Sequence, residues 1–337
     1  MENNNISKSK KIILVVVSLL AALALILSLS FVTKNYFNEK DKEEKEEVSE
    51  KEQITPLMYE ITKEGSNNKI YLFGSMHSVN LNDFDFPKYV MDAYNSSDIV
   101  APEFDVLKIL EDSDMLLEYS KSLTYSDGSL LKDHLSENVY NKLINFTKEK
   151  GIYQQTYEYF KLDFWESLLS NKLAEDTGLI GDGVDEYFLK KAREDNKEII
   201  DVESFKFQLN LTNSFSDRLY EIMIENCIDN YDKQIDETKK LYKIWKNGDS
   251  KELLVLLDNE LTEEDLKKLS EEDIKLVKDY NYKLLDERNI GMKDKLIEFF
   301  NNDKKVFFMV GAAHLVGEKG IANLLVQEGF TVTQVNK

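Results

Sequence analysis

The most regular feature of the chain is a run of 21 residues, Ile12 to Val32, that is apolar throughout apart from Ser18, Ser28 and Ser30. Roughly 20 such residues are what a helix needs to cross a bilayer, so the run predicts a transmembrane anchor over 12–32. Lys8, Lys10 and Lys11 end a short basic tail over 1–11 and, by the positive-inside tendency, hold it in the cytoplasm. Everything after the anchor is then extracytoplasmic. A cleaved signal peptide is the alternative, with Ser28, Leu29 and Ser30 as its small-x-small site. No cysteine lies nearby, which excludes a lipoprotein signal. Residues 33–55 follow as a charged linker whose segment NEKDKEEKEEVSEKEQ has almost no apolar content.

From residue 56 the pattern changes. LMYEI and KIYLF, separated by the turn-forming EGSNN, predict a β-hairpin, and DIVA at 98–101 predicts another short buried strand before Pro102. Between about 105 and 300 the apolar positions take helical spacing. Ser136 is placed to cap a helix carrying Val139, Leu143, Ile144 and Phe146 and ending at Gly151. Further helices are expected over 156–176, after Gly183, and through to Phe300, interrupted by the strand-like EIIDV at 198–202. The chain then returns to β structure. KVFFMV at 305–310 reads as a buried strand, Gly317 to Glu328 as a helix with Gly329 closing it, and FTVTQV as a last strand. The predicted fold class is therefore α/β (α+β), with a central mixed sheet built from the N- and C-terminal segments of the domain 56–337 and a large helical insertion over 105–300.

Charge narrows the range of partners. Beyond residue 33 the chain carries 40 Lys plus Arg against 62 Asp plus Glu, a net of −22. Such a surface repels phosphate backbones and argues against nucleic acid as a partner. Cys227 is the only cysteine, so no intramolecular disulfide and no cysteine-rich zinc site can form. Its setting on an apolar helix face predicts an inert buried thiol.

The candidate chemistry lies in a repeated local design. KIYLF leads into Gly74, Ser75, Met76 and His77, while KVFFMV leads into Gly311, Ala312, Ala313 and His314. Two of the three histidines thus stand three residues after a glycine at the end of an apolar strand. The carboxyl end of a buried strand is where α/β proteins place reactive groups, because the core fixes the backbone while the side chain reaches a crevice. Imidazole serves there as a metal ligand or a general base. His134, in KDHLSE, has no matching motif and reads as an ordinary surface residue. HExxH, GxSxG and phosphate-loop motifs are all missing from the sequence.

The paired motifs YLFGSMH and FMVGAAHLVGEKG resemble the two signatures of the TraB/GumN family, which includes the Tiki-type metalloproteases. APEFD, GVDEYFLKKAREDNKEIIDVES followed by Gln208, and ERNIGM at 287–292 are similar to family segments in the same order, so the resemblance spans roughly 56–337. It implies a fold like that of erythromycin esterases and haem-binding ChaN lipoproteins. The implied activity is a metal-dependent peptidase acting on peptides or exposed protein segments, or the shutting off of a peptide pheromone. His77 and His314 would ligate a divalent ion, Mn²⁺, Co²⁺ or Zn²⁺, with Glu103 as a third ligand or as the general base. Arg288 matches the family's Arg-Asn pair and would steady an oxyanion or a substrate carboxylate, or else form a surface ion pair with Glu287 or Asp286. Asp185, Glu203 and Gln208 match the middle segment and would organise the site or the fold. Two other readings stay open: a non-catalytic binder of pheromone or haem, and a metal-independent esterase-like hydrolase.

Overall fold

A computed structural model describes residues 51–179, 181–257 and 269–335. The predicted anchor and the basic tail lie outside the described residues. Among the described residues no helix is long and apolar enough to cross a membrane.

Among the described residues eight strands occur: β1 (Glu52–Gln53), β2 (Met58–Thr62), β3 (Ile70–Ser75), β4 (Phe84–Asp85), β5 (Ile99–Pro102), β6 (Glu198–Ile199), β7 (Val306–Gly311) and β8 (Thr331–Gln334). Six form one sheet in the order β6-β5-β7-β3-β2-β8. β6, β5, β7 and β3 run parallel, whereas β2 is antiparallel to both β3 and β8. The expected hairpin is present, with Met58 opposite Phe73. The expected closing β-α-β unit is also present, but its two strands are separated by β3 and β2. The central strand β7 comes from the end of the chain and sits between β5 and β3 from its beginning. Both faces of that strand are covered, which is why its sequence is apolar without alternation.

Phe307 and Met309 point from β7 into one core with Phe73, Tyr94, Phe188 and Trp245. Val306, Phe308 and Val310 point into the other with Leu72, Leu296, Phe299 and Leu325. Successive strand residues face opposite ways, so a six-residue strand feeds both layers. The helical unit has a core of its own around Trp165, Leu143, Leu169, Ile224 and Val277. Within it Ser136 accepts a hydrogen bond from the Val139 amide and opens the helix Glu137–Glu149, as its position predicts.

Three differences from expectation have simple causes. The segment 156–176 divides into a 3-10 turn, Gln155–Tyr159, and the helix Leu162–Asp176. EIIDV pairs regularly only at Glu198–Ile199, although the Ile200 and Val202 amides still donate to Val100 and Pro102 along the same edge. The fold also includes Glu52 and Gln53, which the surrounding charged run assigned to the linker. They pair in parallel with Phe84 and Asp85, Glu52 takes an ion pair from Lys246, and Ile54 is buried.

Candidate active site

His77 follows β3, His314 follows β7, Glu103 follows β5 and Glu203 follows β6. The four parallel strands are consecutive neighbours, so their carboxyl ends deliver all of these side chains to one edge of the sheet. Registration sets the two glycine-histidine motifs side by side, with Gly74 opposite Val310 and Ser75 opposite Gly311. Position 74 is tight: an added Cβ would lie 3.0 Å from the Ala312 Cβ and 3.1 Å from its Cα, so the Ala312 backbone would have to give way. Gly183 has a similar role, since a Cβ there would come within 2.3 Å of the His77 carbonyl oxygen. That close approach lets the Val184 amide donate to the Met76 carbonyl at 3.0 Å and docks the helix Val184–Glu194 against the first motif.

Asp185, on the first turn of that helix, accepts a 2.7 Å hydrogen bond from the Ser75 hydroxyl and stands 2.8 Å from His77 Nδ1. A carboxylate only accepts, so His77 Nδ1 carries the proton and Nε2 faces away. Burial disfavours the charged ring, but the charge and hydrogen bond of Asp185 outweigh it, and the His77 pKa is pushed up to about 9.

His314 is fully buried, and its Nδ1 lies 2.7 Å from Asn289 Oδ1. Asn289 Nδ2 already donates to the Lys319 carbonyl, which identifies Oδ1 as the acceptor and His314 Nδ1 as the donor. Burial, reinforced by the Arg288 charge, lowers the His314 pKa to about 3. The ring is therefore neutral with its lone pair on Nε2. Both Nε2 atoms, of His77 and of His314, are shut off from solvent with no hydrogen-bond partner.

Beside His314 is Glu103, at the end of the neighbouring strand β5. Its Oε1 accepts from the Gly311 amide at 2.8 Å and lies 3.8 Å from His314 Nε2. Its Oε2 meets Arg288 Nη2 at 2.5 Å and Gln208 Nε2 at 3.3 Å. Burial alone would raise its pKa, but Arg288, the two histidines and the Gly311 amide hold the carboxyl well below the usual range. Arg288 also binds Glu203 through Nε at 2.9 Å and Nη2 at 2.8 Å. It is 2% exposed, so the surface pair with Glu287 or Asp286 does not form, and Asp286 instead pairs with Lys319. The guanidinium is spoken for by two carboxylates, which makes Arg288 a positioning residue instead of an oxyanion ligand. A π-helical turn, Tyr282–Glu287, precedes it and aims Arg288 and Asn289 inward from the start of the helix Arg288–Asn301.

The structure thus brings together His77, His314, Glu103 and Arg288, with Asp185, Glu203 and Gln208 behind them. Among the described residues no three His, Cys, Asp or Glu side chains already stand as a ready metal cage. The fit to a divalent ion rests on the two orphaned imidazole nitrogens and on the carboxylate beside one of them.

A sequence model of the TraB/PrgY/gumN family matches residues 57–334, from the approach to β2 to the end of β8. The chain belongs to the TraB/PrgY/gumN family. No curated protein and no solved structure matches it. In this TraB/PrgY/gumN chain Ser75 and Asn289 are site residues that the sequence reading passed over, though both sit inside motifs it quoted. The family's Arg-Asn pair was the signal for Asn289, and for Ser75 only its place two residues before His77.

His134 differs from its expectation. It is partly buried and stacks on Tyr125 with ring centroids 3.6 Å apart; its Nδ1 is 2.7 Å from Asp217 and its Nε2 2.6 Å from the Ser129 hydroxyl. The order Ser-His-Asp suggests a nucleophile relay, but the Ser129 hydroxyl donates its one proton to Asp127 at 2.6 Å. The imidazole therefore ties the 127–134 loop to the helix Asp217–Asp229. Cys227 is buried and its thiol is pushed up to about 12 by burial, in keeping with an inert role.

Proposed function

We propose that this chain is a membrane-anchored, extracytoplasmic, metal-dependent hydrolase that cleaves peptides or exposed protein segments. The observation that carries the reading is the pair of buried Nε2 atoms without partners, each on a ring whose Nδ1 is already held. A histidine fixed through one nitrogen by a carboxylate or amide oxygen is the usual form of a metal ligand, because the outer bond sets tautomer and ring orientation. His77 and His314 would hold Mn²⁺, Co²⁺ or Zn²⁺, with Glu103 as the adjoining oxygen donor. The chemistry available from a bound divalent ion is Lewis acidity and a water that ionises near neutral pH.

The protein's own groups have separable tasks. Asn289 keeps the His314 lone pair on Nε2. Asp185 orients His77 and makes its Nε2 more basic, so that a proton must leave this atom before it can ligate. Glu103 stays ionised, and its depressed basicity suits holding positive charge better than taking a proton. Arg288 keeps Glu103 and Glu203 in place.

A second reading is favoured by the split between the two rings, near 9 and near 3. Without a metal, His77 would donate a proton from Nε2 while neutral His314 accepts one, an acid and base pair of a metal-independent hydrolase. The two readings separate in one experiment. The full-length chain in neutral detergent is stripped with chelator, reloaded with each ion in turn and assayed against a peptide library beside His77→Ala and His314→Ala. Cleavage restored by metal and reduced at least about a hundredfold in each variant is expected. Turnover indifferent to chelator selects the acid and base reading; tight peptide binding without turnover, or a haem Soret band, rejects hydrolysis altogether. Protease added to intact cells tests the topology, which is wrong if the domain survives while an exposed control is digested.

A further inference from the structure

The first histidine motif is held from a direction that the chemistry of the site does not require. Residues 51–55 stand apart from the six-stranded sheet, in a separate pairing of β1 with β4. Two exposed polar residues do not form a strand by themselves, so their place is set by the contacts they make. Those contacts lead to both sides of His77.

One route reaches the residues after it. The Glu52 amide donates to the Asp83 carbonyl at 2.7 Å, and Lys51 Nζ meets Asp85 Oδ1 at 2.5 Å. Asp83 accepts in turn from Asn80 Nδ2 at 2.7 Å and from the Tyr242 hydroxyl at 3.1 Å, which fastens the loop that follows His77. The other route reaches the residues before it. The Thr55 amide donates to the Lys246 carbonyl at 2.6 Å, its hydroxyl donates to the Asn247 carbonyl at 3.0 Å, and Glu52 pairs with Lys246. These bonds secure the carboxyl end of the helix Tyr231–Asn247, where Trp245 Nε1 donates to the Gly74 carbonyl at 2.9 Å. The Trp245 side chain is buried, with its ring 5.7 Å from that of Phe84. Ile54, Val79, Phe84 and Trp245 belong to one core, so the two routes share their apolar support.

The segment is also built to let go. Both residues of β1 are exposed, the pair of Lys51 with Asp85 is open to solvent, and Ile54 is the one apolar residue between 51 and 55. Exposed ion pairs contribute little, and a short element with a single buried apolar side chain is drawn from the low-stability end of local opening. β3 and β7, by contrast, each have a strand on either side. The segment can therefore leave while the sheet stays folded.

We propose that residues 51–55 are a conformational strap: docked, they fix the backbone on both sides of His77; released, they loosen the first motif and leave the second, around His314, in place. The charged run that precedes the strap is then its input, and a pull or a partner on that run acts on one of the two histidines. The device needs neither a bound ion nor turnover, so it stands apart from the hydrolytic reading.

Two N–H groups report on the first motif without touching the strap. They are the Trp245 indole and the Val184 amide, which donates to the Met76 carbonyl at 3.0 Å. Two others serve as references: the Gly311 amide, which donates to Glu103 in the second motif, and the indole of Trp165, buried in the core of the helical unit. Hydrogen exchange at all four is followed by NMR in the ¹⁵N-labelled full-length chain in neutral detergent after chelator treatment. With Ile54→Ser, exchange at Trp245 and Val184 is expected to quicken at least about tenfold while Gly311 and Trp165 keep their wild-type rates. Unchanged exchange at either Trp245 or Val184 overturns the strap. So does an equal acceleration at all four groups, which would make Ile54 an ordinary support of the whole fold. Should Ile54→Ser fail to fold, Glu52→Pro removes the donor to Asp83 from the exposed strand and keeps Ile54. The same pattern of two quickened and two unchanged groups is then expected, and its absence overturns the proposal.

Discussion

Two regions of this molecule bury carboxylates, and they treat them in opposite ways. At the carboxyl ends of the sheet Glu103 and Glu203 share the Arg288 guanidinium, and Gln208 and the Gly311 amide take up further lone pairs. In the helical unit Asp163 Oδ1 is shut off from solvent with no hydrogen-bond partner among the described residues. A satisfied network of buried charges holds its members in one geometry, whereas a buried oxygen without a partner leaves its desolvation cost uncompensated. The first arrangement is what a preorganised reaction centre needs; in the second, burial raises the carboxyl pKa instead.

The comparison is tested hardest by removing the shared cation. Arg288→Met leaves two buried carboxylates unpaired and is expected to destabilise the chain by about 3–5 kcal/mol in denaturant unfolding. A loss below about 1 kcal/mol would mean that the network does not hold the site. Next comes Asp185→Asn. The His77 pKa is raised from its ordinary value to about 9, so the pair stabilises the folded chain fully below pH 6.5. That stabilisation is lost as pH rises through about 9. In chelator-treated protein the difference between wild type and Asp185→Asn is expected to be on the order of 2 kcal/mol at pH 6 and to vanish above pH 10. A difference that does not change with pH would remove the ion pair from the account. The smallest effect has the opposite sign. Asp163→Asn removes a charge that burial disfavours and is expected to leave stability unchanged or raise it by up to about 1 kcal/mol, read as a shift in Tm. A clear loss would show that this carboxylate has a countercharge after all.

Much of the architecture was legible because strand and helix periods differ and the domain's two ends are both β-rich. LMYEI, KIYLF, DIVA and KVFFMV each form strands where their patterns place them, and Ser136 caps the helix it precedes. Glu52–Gln53 was not legible, since two exposed polar residues form a strand only because Phe84–Asp85 and Lys246 are there to meet them. The motifs singled out His77, His314 and Glu103. They could not say that Arg288 is a clamp between two carboxylates, because Glu203 is 85 residues away in sequence and its approach depends on β6 lying beside β5.

Local chemistry therefore determined the elements, the glycines that let backbones touch, and the residue types capable of ligation or proton transfer. Tertiary structure alone decided which of those groups share a space, which ring nitrogen is left open and which carboxylates find a cation. The reason is physical: periodicity and turn propensity are properties of neighbouring residues, whereas pairing, burial and basicity depend on groups brought together from distant parts of the chain.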